Sequence, residues 1–215
     1  MLQPAFGLCL VVCVSVVFAQ TPAPKPMESS IRVVCHGKIR HLVKTIGGET
    51  TGTTIEFNGM RWELKLPDDT SRKFADENHK EAVTAVGSLR RVPSKAFPER
   101  YIIEVDANRG LELQNGADKK QGASLTVFGT LREIDSVAGE QPGIVIEADG
   151  ANWPLDLSAD RAIKDKAESL VGKSVELVGS VAPLEPGPGG KSPPRPIIRV
   201  TKLDVPTGKA AAKRD

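Results

Sequence analysis

Two eight-residue segments decide the fold of this chain: VVCHGKIR at Val33–Arg40 and LTVFGTLR at Leu125–Arg132. In both segments apolar side chains occupy every second position, and a glycine, Gly37 or Gly129, stands fifth. A period of two indicates a strand with one buried face. Because the two glycines are 92 positions apart, we expect the same strand to occur twice in the chain.

The similarity extends outward from these segments. IEFNGMRWELKL at Ile55–Leu66 matches IEADGANWPLDL at Ile146–Leu157, VTAVGSL at Val83–Leu89 matches VELVGSV at Val175–Val181, and IIEV at Ile102–Val105 matches IIRV at Ile197–Val200. The only two tryptophans, Trp62 and Trp153, fall on matching positions. We therefore infer two copies of one domain, residues 31–108 and 123–205, which are joined by a linker at 109–122. We expect the copies to be separable at its polar stretch, Gln114–Gly122.

One segment of each copy departs from the period of two. At Ser158–Lys173, Ile163, Ala167, Leu170 and Val171 follow helical spacing, Ser158 or Asp160 can cap the start, and Gly172 can close the end. The matching residues 68–80 have Phe74 as their only large apolar side chain, so we expect a short or irregular helix there. Each copy reads strand, strand, strand, helix, strand, strand.

This order predicts a mainly β protein made of two tandem five-stranded OB-fold-like barrels, each with a short helix between strands 3 and 4. Closing so few strands requires sharp bends, and a glycine inside a strand commonly marks one. The glycines in question are Gly37, Gly87, Gly129 and Gly179. The repeated pattern resembles secreted bacterial OB-fold domains. An SH3-like barrel, or one two-sheet sandwich built from both copies, are the alternatives.

The first residues indicate export. Leu8–Phe18 is an uncharged apolar run, and Ala19 provides a small residue for cleavage. We expect residues 1–19 to be a signal peptide, 20–30 a proline-rich tether and 206–215 a polar basic tail of a secreted or periplasmic protein. An uncleaved anchor is the alternative and a lipoprotein a weaker third. No later segment predicts a membrane span.

Composition argues against several activities. The formal net charge is +2, without the basic excess that marks many nucleic-acid-binding proteins. Cleavage of the signal peptide would leave Cys35 as the single cysteine, and we expect its thiol to be buried and inert. The three histidines His36, His41 and His79 show no metal-ligand spacing, and no catalytic or phosphate-binding motif occurs. We expect no metal, no cofactor and no catalysis.

Two groups of residues are candidates for binding. Trp62 and Trp153 would stack ligands if exposed, but each alternates with two leucines, which favours the core. The expected loop between strands 4 and 5 of the first copy combines basic and aromatic residues, a pattern seen on nucleic-acid-binding loops. These residues are Arg90, Arg91, Lys95, Phe97, Arg100 and Tyr101.

Our main hypothesis from the sequence is a non-enzymatic envelope module that binds a protein or glycan or spaces its partners. Because export and near-neutral charge both argue against nucleic acid, we expect nucleic acid not to be the partner. A single-stranded nucleic-acid-binding OB protein is the first alternative, and a hydrolase with an unrecognised site is the second. The sequence leaves the oligomeric state open.

Overall fold

The computed structural model describes residues 29–41, 52–93, 99–116, 119–135, 143–184 and 195–206. The described residues form eleven strands and two helices. In chain order these are β1 (Ser30–His41), β2 (Thr53–Phe57), β3 (Met60–Lys65), α1 (Asp69–Glu77), β4 (Ala82–Val92), β5 (Arg100–Val105), β6 (Leu111–Leu113), β7 (Gly122–Ile134), β8 (Gly143–Ala148), β9 (Ala151–Asp156), α2 (Arg161–Ser169), β10 (Ser174–Leu184) and β11 (Arg195–Asp204). Neither helix has the length and apolar character needed to cross a membrane.

Strands β1 to β5 close into a five-stranded barrel. β1 pairs with β2 near its end and with β4 near its start, β2 pairs with β3, and β4 pairs with β5. The parallel pairing of β3 with β5 completes the circuit. Strands β7 to β11 repeat this order of pairing, from β7 through β8, β9 and β11 to β10 and back to β7.

A single strand pair joins the two halves of the sheet. Residues 30–36 of β1 run antiparallel to residues 122–128 of β7, and Val33 lies opposite Leu125. These two residues are also counterparts in the sequence repeat, which is offset by 92 positions here. A pairing that places a residue opposite its own counterpart is the signature of a two-fold axis. The halves therefore meet in this pair as two identical subunits would.

The four strand glycines allow close crossings of the backbone. A Cβ atom on Gly37 would lie 2.4 Å from the carbonyl oxygen of Glu56, and one on Gly87 would lie 2.2 Å from that of Glu104. In the second copy the distances are 2.4 Å from Gly129 to Glu147 and 2.6 Å from Gly179 to Arg199. Any side chain at these positions would push apart the neighbouring strands.

The core continues through both halves. Trp62 and Trp153 are each 1% exposed, in agreement with their alternation with leucines. Phe57 meets Trp62 edge-on with ring centres 4.9 Å apart, and Tyr101 stacks on Trp62 at 5.9 Å. The Tyr101 ring also lies 5.7 Å from that of Trp153. This aromatic chain joins the first half to the second.

Both helices are nine residues long, so α1 is as regular as α2. Asp68 caps α1 by accepting a hydrogen bond from the Ser71 amide at 2.7 Å, and Asp160 caps α2 in the same way through Ala162 at 2.8 Å. Each helix needs only one fully buried residue, Ala75 or Ala167, to seat it on its barrel. Our expectation of an irregular first helix overrated the need for large apolar side chains.

The linker region 109–122 is partly ordered into the sheet. β6 pairs with β4, placing Leu113 opposite Val83. Gln114 continues this contact, since its side-chain amide donates to the Val83 carbonyl at 2.9 Å. Gly122, the last residue of the expected linker, already belongs to β7. The connection is therefore bound along the first barrel.

Candidate functional site

The turn between β2 and β3 creates the first concave surface. Asn58 and Gly59 have positive φ angles of 45° and 76°, the conformation that an Asn-Gly hairpin turn requires. Beside the turn lies a cavity of about 330 Å³. Its polar lining comes from β1, β2, β3 and the segment before β7: Lys38, Arg40, Glu56, Asn58, Arg61 and Gln121. Segments far apart in the sequence thus meet at one hairpin tip.

Strand alternation aims the cations outward. Gly37 and Ile39 face the barrel interior, so Lys38 and Arg40 face solvent; Met60 and Trp62 likewise leave Arg61 outside. The Glu56 carboxylate lies between both arginines. Arg40 Nε donates to it at 3.0 Å, and Arg61 donates through Nε at 2.9 Å and through its terminal nitrogen at 2.6 Å. Glu56 holds the two guanidinium groups next to each other.

The charge of this cluster is positive. Partial burial by itself would raise the pKa of Glu56, but the hydrogen bonds from Arg40 and Arg61 outweigh it and lower that pKa below its usual value. Glu56 is therefore ionised at neutral pH and neutralises only one of its two arginines. Lys38 is exposed and has no salt-bridge partner within the described ranges. The cavity wall carries three cations and one carboxylate.

A second group of ion pairs extends from the hairpin along the outside of the first barrel. Arg100 donates two hydrogen bonds of 2.6 Å to the Glu63 carboxylate. Lys65 lies 3.0 Å from Glu104, and Arg90 approaches the same carboxylate at 4.0 Å. Here too the cations outnumber the carboxylates. The cavity wall and these pairs together form what we call the first-barrel face.

The matching positions on β7 to β11 carry a smaller excess. The counterpart of the Lys65–Glu104 pair is Asp156–Arg199, the same cross-strand contact with its polarity reversed, at 3.1 Å. Arg40 corresponds to Arg132, which pairs with Glu147 at 2.9 Å. The positions that match Lys38 and Arg61 hold the uncharged Thr130 and Asn152. The outer surfaces of the two barrels therefore differ in charge although their folds correspond.

A second cavity, of about 440 Å³, lies on the other side of the hairpin tip. Asn58 and Gln121 line it as well, so the two cavities meet at these two residues. The rest of its lining comes from the second half: Gly122, Ala123, Arg199 and residues 180–183. Within the described part of the chain, its only charged lining residue is Arg199.

Most of the binding residues that we predicted between strands 4 and 5 lie on strands and contact other protein groups. Arg90 and Arg91 belong to β4, and Arg100 and Tyr101 belong to β5, so four of the six lie on strands. Arg91 pairs with Glu99 and donates to the main-chain carbonyl of Asn152 at 2.7 Å. The Tyr101 hydroxyl donates to Glu99 at 3.0 Å. Lys95 and Phe97 lie outside the described residues.

These contacts link the first half to the second. Partial burial raises the pKa of Glu99, whereas hydrogen bonds from Arg91 and Tyr101 lower it further than burial raises it, so the carboxylate stays ionised. Burial raises the pKa of Tyr101, which keeps its hydroxyl a proton donor. Glu99 thus holds Arg91 and Tyr101, which contact β9 of the second half at Asn152 and Trp153.

The three histidines contact other polar groups of the protein, and the cysteine is buried. His36 Nδ1 lies 2.9 Å from the Thr84 hydroxyl, and His41 Nδ1 lies 2.9 Å from that of Thr53. His79 accepts a hydrogen bond from the His41 main-chain amide at 3.1 Å. Cys35 is fully buried, and burial raises the pKa of its thiol. Within the described ranges, no three His, Cys, Asp or Glu residues are grouped to hold a metal ion.

Comparison with known proteins shows similarity to solved structures. No protein-family model and no curated protein matches the chain. Among solved structures, a deletion variant of the single-stranded DNA binding protein from Thermus aquaticus matches with a TM-score of 0.50 and 9% identity, over 84% of this chain and 96% of that one. The fold is similar to that of a single-stranded DNA binding protein. The wild-type protein from Thermus aquaticus matches with a TM-score of 0.49 and 10% identity, over 84% and 95%.

This similarity confirms the resemblance to the OB fold and corrects two of our predictions. The main hypothesis of an envelope scaffold that binds protein or glycan is wrong, and so is the expectation that nucleic acid is not a partner. The error has a physical cause. We averaged charge over the whole chain, whereas a binding surface depends on local charge, and Lys38, Arg40 and Arg61 line one cavity with a single carboxylate.

The residues of the first cavity wall were missed for a related reason, whereas Arg90 and Arg100 of the first-barrel face were among the predicted residues. Lys38 and Arg40 stand inside the first segment quoted above, where we used only the glycine and the apolar positions. Arg61 and Asn58 join them only after the β2–β3 hairpin forms. Gln121 arrives from the linker, about sixty residues away in sequence. The alternation of Lys38 and Arg40 with buried residues was the one signal available.

Proposed function

We propose that this protein binds single-stranded nucleic acid through the first-barrel face, as two OB-fold units in tandem. The observation that carries the proposal is the cluster of Lys38, Arg40 and Arg61 around the single carboxylate of Glu56 at the β2–β3 hairpin. In OB folds, strands 2 and 3 and the adjoining loops are the usual surface for oligonucleotides. The similarity in fold to the Thermus aquaticus protein, which its name says binds single-stranded DNA, supports the same ligand class.

The chemistry of the cluster suits a sugar-phosphate backbone. Arginine offers donors in a planar fork that matches phosphate oxygens, and Glu56 uses only part of each fork. Phe57, the aromatic residue in the cavity lining, is 2% exposed and thus unable to stack on a base. We therefore expect binding to depend on phosphate contacts and to show little sequence preference.

A single strand fits this surface better than a duplex. The cations follow a curved path from β4 and β5 to the hairpin tip. Duplex DNA resists bending over such short distances, with a persistence length of about 150 base pairs. A flexible single strand can follow the curvature and present successive phosphates to the cations.

We also propose that the protein acts outside the cytoplasm and by binding alone. The apolar segment and Ala19 support export, and the carboxylates of the first-barrel face are held by cations, which leaves them unsuited to act as general bases. Mass spectrometry of the exported protein should find Gln20 as the first residue. An intact Met1 would contradict export with cleavage, and cleavage of a bound oligonucleotide by the pure protein would contradict binding alone.

The experiment compares two double variants of equal net charge. Lys38→Ala/Arg61→Ala removes two cations from the first-barrel face, whereas Arg161→Ala/Lys164→Ala removes two exposed cations from α2. We expect the first to weaken oligothymidine binding about tenfold at low salt and to reduce the slope of log affinity against log salt by about 1.4, since each phosphate contact contributes about 0.7. The second should change neither quantity. Equal effects of both variants would contradict the assigned face.

A further inference from the structure

The two cavities described above form one groove across the junction of the barrels. They share Asn58, at the β2–β3 turn of the first barrel, and Gln121, immediately before β7 of the second. The first cavity opens toward Lys38, Arg40 and Arg61, and the second opens toward Arg199. The groove therefore has cations at both ends and amide side chains in its middle.

We infer that a bound single strand crosses from the first barrel to the second through this groove, passing between Asn58 and Gln121 toward Arg199. The inference rests on the proposed function and specifies the path of the ligand. Its consequence is that the complete binding site spans two barrels and requires a strand longer than the first-barrel face alone would hold.

The middle of the groove is suited to contact with bases or sugars. Asn58 and Gln121 are exposed and line both cavities, and within the described residues their side-chain amides make no hydrogen bond to protein. Gly122, with φ of 139°, lacks a side chain where one would approach the Asn58 amide, at 3.7 Å from a Cβ position.

Arg199 is suited to receive the strand beyond the junction. Its Nε donates to Asp156 at 3.1 Å, which fixes the guanidinium against β9 and leaves its terminal nitrogens for a phosphate. Hydrogen bonds from Ser158, together with the contact to Arg199, lower the pKa of Asp156. The second cavity also contains the exposed Ser180, whose side chain can be replaced without disturbing the core.

The test places a negative charge in the second cavity of the full-length protein. Ser180→Asp is compared with Ser88→Asp, its counterpart on β4, which is equally exposed and lines neither cavity. Oligothymidines of about 6 and about 20 nucleotides are titrated against each variant, since one OB fold typically covers about 4–16 nucleotides. We expect Ser180→Asp to weaken binding of the long strand at least about fivefold relative to the short one. Ser88→Asp should leave the ratio of the two dissociation constants unchanged.

The outcomes separate this inference from the function on which it rests. If the unmodified protein binds neither oligonucleotide, the proposed function is wrong, and so is the proposed path of the strand across the junction. If it binds both but Ser180→Asp leaves the ratio unchanged, the function stands and the path across the junction is wrong. Thermal melting of both variants checks that neither substitution unfolds the protein.

Discussion

Val33 and Leu125 lie directly opposite each other in the strand pair that joins the two barrels, and each is the counterpart of the other in the sequence repeat. This relationship gives the β1–β7 strand pair a local two-fold symmetry. The axis runs between β1 and β7, and both side chains are buried, at 1% exposure. The symmetry has a consequence for the isolated halves.

A fragment of residues 119–215 should form a homodimer. Removal of β1 exposes the edge of β7 at 122–128, and unpaired edges are templates for further pairing. Because the native register is symmetric about Leu125, two β7 strands can pair with Leu125 opposite Leu125 and keep buried residues opposite buried ones. Light scattering after gel filtration measures the mass. A fragment that stays monomeric at about 100 µM would contradict the symmetric pairing.

Substitution of a strand glycine should destabilise its barrel. In Gly87→Ala the new Cβ would lie 2.2 Å from the Glu104 carbonyl oxygen, so β4 and β5 must separate. We expect a loss of roughly 1–3 kcal/mol in the free energy of unfolding. Gly52→Ala is the control, because the nearest atom to its Cβ position is His41 Cε1 at 3.9 Å. Equal stability of the two variants in denaturant titrations would argue against the close strand crossing.

The Tyr101 ring should matter more than its hydroxyl. Tyr101→Ala removes contacts with Trp62 and Trp153, and we expect it to cost about 2 kcal/mol of unfolding free energy. Tyr101→Phe keeps both ring contacts and loses only the hydrogen bond to Glu99, a loss of about 1 kcal/mol or less. Tryptophan fluorescence follows the unfolding of both. If the two variants are equally stable, the aromatic chain does not join the barrels.

Acid should destabilise the fold through paired carboxylates. A hydrogen bond from Arg32 lowers the pKa of Asp106, which in the unfolded chain returns to about 4. The unfolded state binds more protons between these two values, so this contribution to stability is complete above about pH 4 and disappears as pH falls through the folded value. Arg32→Ala should reduce the loss of unfolding free energy as the pH falls below about 4. Arg161→Ala, with its partner Asp165 at 3.9 Å, should leave that loss unchanged.

The local patterns of the sequence predicted the strands but not how the halves join. Alternation in Val33–Arg40 and Leu125–Arg132 depends on neighbours within one strand, which the sequence displays directly. The β1–β7 pair joins residues about ninety positions apart, and its register leaves no local pattern. Only the repeat gives an indication of this register, because Val33 and Leu125 are counterparts in it.

The candidate site was harder to predict because its residues converge from separate segments. We searched contiguous stretches and selected Arg90 to Tyr101, where basic and aromatic residues are close in sequence. Folding instead brings Arg40, Glu56 and Arg61 together across three strands. Arg91 and Tyr101 serve the contact between barrels, a role that basic and aromatic composition cannot distinguish from ligand binding.

The most direct test of the account is the affinity of the unmodified protein for a labelled oligothymidine of about 20 nucleotides, measured by fluorescence anisotropy at two salt concentrations. With three or four phosphate contacts, we expect affinity to fall roughly 20- to 50-fold between about 50 and about 200 mM salt. Unlabelled single strand should displace the probe, and duplex of equal length should compete far less. Absence of binding at about 100 µM protein, or equal competition by duplex, would contradict single-stranded nucleic-acid binding.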